Sequence, residues 1–259
     1  MTEERARANR ELFAAECGRI AALCDEMAQR FLRGGRLLAL AEGAAARSDA
    51  RHVAVEFVHP VIVGKRALPA LAFPAAEEIE RDDIAIVFDG EAPAGCLTIG
   101  FGAGAEWDFL PPTDDPFVRQ ELIETLYHVL WELVHVFIEH REARGEDTGA
   151  SSFLYPFLGA GSDLAAVTED VRRSVLAKAQ EIGALRQQTL SENRDVLSAA
   201  AEALRGRRVL ALGNGGSATD AMDLVADLRA AGLRALDLTD DPAILTALAN
   251  DIGVEAIFS

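Results

Sequence analysis

The hydrophobic pattern opens with a helix. Between residues 3 and 33 the apolar positions Phe13, Cys17, Ile20, Cys24, Met27 and Phe31 recur in alternating steps of four and three, and the run stops at Gly34-Gly35. That spacing places one apolar stripe along an amphipathic helix, available to pack on its own domain or on another subunit. The pattern then changes period. RLLALA (Arg36 to Ala41) reads as a buried strand, Ser48-Asp49 begins a helix running to about Val58, and Pro60 ends it. Further strand-like runs occur at Leu68 to Phe73, Asp82 to Gly90, Cys96 to Gly102 and Trp107 to Pro112. From Pro116 a long helix is predicted to about Arg144, with Phe117, Leu122, Leu126, Val129, Leu130, Leu133 and Phe137 as its apolar positions. Buried strands interleaved with helices predict an α/β fold with a parallel sheet.

The second part is shorter. A stretch rich in glycine and serine that carries Phe153, Leu154, Tyr155, Phe157 and Leu158 reads as a linker with a docked apolar segment. Helix is predicted from Leu164 to Leu204 with a break near Gly183, followed by a strand at Val209 to Leu212. A turn of Gly213, Asn214, Gly215 and Gly216 leads to a helix opened by Ser217 as N-cap and carrying Asp220, Asp223 and Asp227. A strand at Ala235 to Leu238 and a helix begun by Asp241-Pro242 complete the pattern. Two strands are too few for an independent α/β sheet of usual size.

The two parts match each other. RGGRLLALAEG (Arg33 to Gly43) aligns with RGRRVLALGNG (Arg205 to Gly215), and DARHVAVEF (Asp49 to Phe57) aligns with DAMDLVADL (Asp220 to Leu228). Similarity in register across helix, strand, turn and helix predicts a duplicated domain. The expected division is a first domain over 1–145, a linker over 146–163, and the N-terminal half of a second domain over 164–259.

Composition narrows the partners. With 42 acidic against 25 basic side chains the formal charge is −17, which gives no electrostatic footprint for nucleic acid. No apolar run approaches a membrane span and no basic leader precedes an apolar core, so a cytoplasmic protein is expected. Cys17, Cys24 and Cys96 read as buried reduced thiols rather than a disulfide frame or a zinc cluster. The glycine turn has its own chemistry: glycines bring backbone amides close to a ligand, and the start of the following helix favours an anion such as phosphate.

GNGGSATDAMDLVADL resembles the signature of the sugar isomerase (SIS) fold, and in detail that of phosphoheptose isomerases. LTALANDIGVEAIFS resembles the next block of that family, and LYHVLWELVHVF its C-terminal helix. The resemblance implies two tandem SIS-type three-layer domains, the second incomplete, and isomerisation of sedoheptulose 7-phosphate to an aldoheptose phosphate through an enediol. It places catalytic residues at His52, Glu56 and His128, and a zinc set at His52, Glu56, Gln120 and His128. Contacts to the sugar phosphate fall at Asn214, Gly215, Gly216, Ser217, Asn250 and Asp251. It further implies a homo-oligomer, dimer or tetramer.

Each copy departs from the family pattern. In the first, AEGAA (Ala41 to Ala45) replaces the phosphate loop and FDGEAP (Phe88 to Pro93) replaces a later turn rich in serine and threonine; in the second, Asp223 and Asp227 stand where the histidine and glutamate belong. The complementary survival of the two halves predicts one composite site, within the chain or between subunits. The competing expectations are a phosphosugar-binding or assembly module without chemistry, and a truncated paralogue. His59, Lys65 and Arg66 read as a solvated turn, and His135 and His140 as ordinary helix residues.

Overall fold

Strands β3 (Ile84–Val87) and β4 (Leu97–Gly100) are buried at every position, and β1 (Leu37–Leu40) at three of four. Continuous apolar runs of this kind are stable only where both faces of a sheet are covered, and they form its centre here. The structure is a computed structural model describing residues 2–60, 62, 64–74, 78–142 and 164–258; the segment expected to be a linker lies outside them. With β2 (Ala70–Ala72) and β5 (Trp107–Asp108), these strands make a five-stranded, all-parallel sheet of order β2-β1-β3-β4-β5. Helices α1 (Thr2–Leu32), α2 (Ala44–Val58) and α3 (Pro116–Glu142) flank it. Their apolar stripes, including Phe13, Ile20, Met27, Phe57, Leu133 and Phe137, join the strands in one core.

The second part begins with α4 (Leu164–Glu192) and α5 (Arg194–Leu204). The expected break at Gly183 does not occur. The helix runs through it and ends nine residues later at Glu192, because Gly183 faces α1, where a side chain would meet Asn9 Nδ2 at 3.3 Å. An interior glycine costs a helix only about 1 kcal/mol, which close helix packing offsets. Val167, Val171 and Val175 of α4 are fully buried in the core of the first part, and Asn9 Nδ2 donates to Ala179 O at 2.8 Å.

Strand β6 (Arg208–Ala211), helix α6 (Gly216–Ala230), strand β7 (Arg234–Asp237) and helix α7 (Pro242–Asp251) follow, closing in a 3₁₀ turn at Val254–Ala256. β6 and β7 pair in parallel as a separate two-stranded sheet, from Arg208↔Arg234 to Ala211↔Asp237. Only one face is covered: Val209 and Ala211 are buried, whereas Leu210 is 54% and Leu236 46% exposed. Helix α7 starts as expected, with Asp241 Oδ1 accepting from the amides of Ala243 and Ile244. No helix among the described residues is long and apolar enough to cross a membrane.

Helix α2 begins at Ala44, four residues before the expected start at Ser48. The reason is remote in sequence. Asp89, in the turn after β3, accepts from the amides of Glu42 at 2.6 Å and Gly43 at 2.8 Å, so a carboxylate holds the helix start as a capping side chain would.

If α4 belongs to the core of the first part, Val171→Asp should lower the stability of the whole molecule by at least about 3 kcal/mol. Thermal unfolding followed by circular dichroism measures this; an unchanged midpoint would contradict the packing.

Candidate functional site

Glycine dictates where the two parts meet. A side chain at Gly213 would collide with the Ser217 carbonyl at 2.1 Å, so the turn after β6 closes only with glycine. Gly215, rather than Ser217, caps α6, with φ 57°. At Gly216 a side-chain carbon would sit 3.3 Å from His52 Nε2, so the bare backbone lets the first turn of α6 settle against the imidazole of α2.

The packing of α2 on α6 brings a polar cluster together. His52 Nε2 lies 3.7 Å from Glu56 Oε1, as i,i+4 spacing on one helix permits, and its ring meets that of His128 edge to face at 5.0 Å. His128 Nδ1 is 2.8 Å from the Glu124 carbonyl oxygen; with a proton on Nδ1 donated there, Nε2 keeps its lone pair. One donor atom each from His52, Glu56 and His128 lies within 4.8 Å of the others, and the same holds for His52, Glu124 and Asp220. Gln120 goes elsewhere. Its Nε2 donates to Asp223 Oδ1 at 2.8 Å and to Asp49 Oδ2 at 3.4 Å, and Tyr127 donates to Asp49 Oδ1 at 3.3 Å. Beside these groups lies an open cavity of about 510 Å³, bordered by His52, Gln120, Glu124, Tyr127, Asp220 and Asp223 among others.

Charge is unevenly balanced in the cluster. Burial by itself would lower the His52 pKa, but the hydrogen bond to Glu56 and the fields of Glu124, Glu56 and Asp220 raise it. The same hydrogen bond lowers Glu56, against the opposing effect of burial. Burial, then the nearby charges of Asp223 and Glu124, pushes Asp49 up to about 7. The basic side chains at the cavity are engaged: Arg5 pairs with Glu121 at 2.6 Å, and Arg186 lies 3.3 Å from Glu121 and 3.5 Å from Glu124.

The two glycine turns differ. In the first part, the amides of Glu42 and Gly43 are occupied by Asp89. In the second, Asn214, Gly215 and Ser217 are exposed, and among the described residues no side chain accepts from the amides of 213–217. Asn250 and Asp251 lie exposed at the end of α7, bonded to each other and outside the lining of the His52 cavity. Lys65 is buried against Glu139 at 2.9 Å rather than solvated, and His135 is buried with its ring nitrogens 2.7 Å from the Trp131 carbonyl and 2.9 Å from the Arg66 carbonyl.

The sequence reading missed Asp49, Glu124 and Asp220 as members of the cluster. Glu124 precedes His128 by one helical turn, and Asp49 precedes His52 by three residues; Asp220 aligns with Asp49 in the internal sequence match. Helical spacing carried a signal for all three, but only the packing of α6 on α2 shows that it matters.

Fold and site together define a parallel α/β protein with an open glycine turn set against a cluster of histidine and carboxylate groups. Within that class the chain is similar to phosphoheptose isomerases. It is 39% identical over 103 residues to the phosphoheptose isomerase of Nitratidesulfovibrio vulgaris (strain DSM 19637 / Miyazaki F), covering 36% of this chain and 50% of that protein. It is 38% identical over 98 residues to that of Geotalea daltonii, covering 35% and 51%, and 48% identical over 71 residues to that of Aquifex aeolicus, covering 25% and 37%. The chain spans about half the length of the first of these relatives. No protein-family model matches the chain.

Asp49 holds its proton more tightly folded than unfolded, so its contribution to stability falls as pH rises from the free-carboxylate range toward 7. In metal-free protein, Asp49→Asn should therefore raise the unfolding temperature at pH 8, by an amount on the order of 2 kcal/mol in stability, and change little at pH 5. Equal shifts at both pH values would contradict the buried-carboxylate assignment.

Proposed function

We propose that this chain is a phosphosugar isomerase of the phosphoheptose type, in which two tandem copies of one α/β unit share a single site. The close approach of Gly216 to His52 Nε2 carries the reading. It sets the glycine turn of one copy beside the histidine and glutamate of the other. Duplication is supported by the contacts between α2 and α6. In the repeat alignment Asp49 corresponds to Asp220 and His52 to Asp223; Asp49 faces Asp223 through Gln120, while His52 faces Asp220. Residue i meeting j while j meets i is the mark of two like units related by a twofold axis. In both units a helix precedes a strand, a glycine-bearing turn and a second helix, and the strand after that helix pairs parallel to the first.

The chemistry follows from the groups present. A base removes the proton from C1 of the ketose, the carbonyl and hydroxyl oxygens rearrange through an enediol, and the proton returns at C2, so nothing is gained or lost overall. Glu56, kept ionised by its hydrogen bond with His52, would take that proton. His128 Nε2, free of the bond that engages Nδ1, would exchange the hydroxyl proton. The second turn, whose amides no described side chain engages, suits the phosphate, since Arg5 and Arg186 are committed to glutamates. A zinc ion held in this pocket through His52 would polarise the sugar oxygens; of the other donors the resemblance supplies, Glu56 and His128 lie beside His52 and Gln120 is turned toward Asp49 and Asp223. Exposed Val196, Leu197, Leu210 and Leu236 support assembly into a homo-oligomer.

Purified protein with added zinc should interconvert sedoheptulose 7-phosphate and the aldoheptose 7-phosphate. His128→Ala should reduce kcat about 100-fold, and Ser217→Ala should raise KM. Binding of the ester without turnover above the His128→Ala background would replace the isomerase reading with a non-catalytic phosphosugar-binding module. Absence of binding would contradict both.

A further inference from the structure

We propose that a divalent transition-metal ion bridges the two halves of the chain, held by His52 of α2, Glu124 of α3 and Asp220 of α6. Glu124 and Asp220 lie outside the set that the isomerase resemblance supplies, and Asp220 comes from the other half of the molecule. The inference rests on the same pocket as the proposed function but not on isomerisation.

Three observations support this position. First, donor atoms of the three residues lie within 4.8 Å of one another. Ligands about 2.0–2.2 Å from a zinc ion stand at most roughly 4.4 Å apart, so a small side-chain adjustment closes the set. Second, the Asp220 carboxylate makes no hydrogen bond or ion pair among the described residues, and the ion would replace Arg186, 3.5 Å away, as the partner of Glu124. Glu56, by contrast, is already committed to His52. Third, Asp223 lies in the same cavity with no arginine or lysine paired to it among the described residues, so local charge favours a dication. Two carboxylates and one imidazole neutralise such an ion, and a mixed oxygen and nitrogen set suits Zn²⁺ or Mn²⁺. With the ion there, Glu56 and His128 keep their lone pairs for proton transfer. The site also ties α6 to α2 and α3.

Chelator-stripped full-length protein titrated with Zn²⁺ and with Mn²⁺ by calorimetry tests the assignment. Wild type should bind one ion. Asp220→Asn and Glu124→Gln should each weaken binding by at least about tenfold, whereas Glu56→Gln should change it less than threefold. Circular dichroism of each variant verifies folding. Hydrogen exchange of the α6 amides should slow on adding metal to wild type but not to Asp220→Asn. No binding by wild type, full retention by Asp220→Asn, or a loss in Glu56→Gln matching that in Asp220→Asn would overturn the bridge. Metal binding with this pattern but no sugar turnover would keep the bridge and remove the isomerase reading; turnover indifferent to Asp220→Asn and to chelator would do the reverse.

Discussion

The contact on which the site depends is the seating of α6 on α2, eased by Gly216, where a side-chain carbon would sit a tight 3.3 Å from His52 Nε2. It brings carboxylates of the second half, Asp220 and Asp223, against the histidine, glutamine and aspartate of the first. Hydrogen bonds that share protons offset part of the repulsion among the acidic groups between these two helices. Gln120 donates to both aspartates, Tyr127 donates to Asp49, and burial keeps Asp49 protonated up to about 7. Partly buried groups of this kind are costly unless satisfied, which ties the geometry of the site to the packing that surrounds it.

The same economy appears at the two glycine turns. Each presents backbone amides at the start of a helix, and such amides call for an anion. In the first half Asp89 supplies one from within the chain and fixes the start of α2, so that turn is structural. In the second half the turn stays open to solvent beside His52. One glycine turn is closed by a carboxylate of the chain and the other is exposed, a difference that fits the proposed sharing of a single site.

Much of the fold is legible in the sequence because its signals are local. The four-three spacing of α1, the apolar runs of β3 and β4 and the Asp241-Pro242 start of α7 each specify their element. The misplacements have long-range causes: α2 starts early because of a carboxylate 46 residues away, and α4 passes through Gly183 because α1 packs there. At the site, helical spacing alone puts Glu56 within reach of His52, at 3.7 Å. It could not show that Gln120 turns to Asp49 and Asp223, or that Asp220 faces His52, since both depend on how α6 lies across α2 and α3. Pairing within one element is written in periodicity, and pairing between elements is not.

The central claim is that His52 and Asp220, from different halves of the chain, act on each other in one site. A double-mutant cycle of His52→Ala and Asp220→Ala, read by chemical denaturation of metal-free protein, measures this directly. The raised pKa of His52 keeps its ring charged at pH 6, so the cycle should give a favourable coupling of about 0.5–1 kcal/mol there, declining by pH 8.5 as the imidazole loses its proton. Additive effects at both pH values would contradict the shared site.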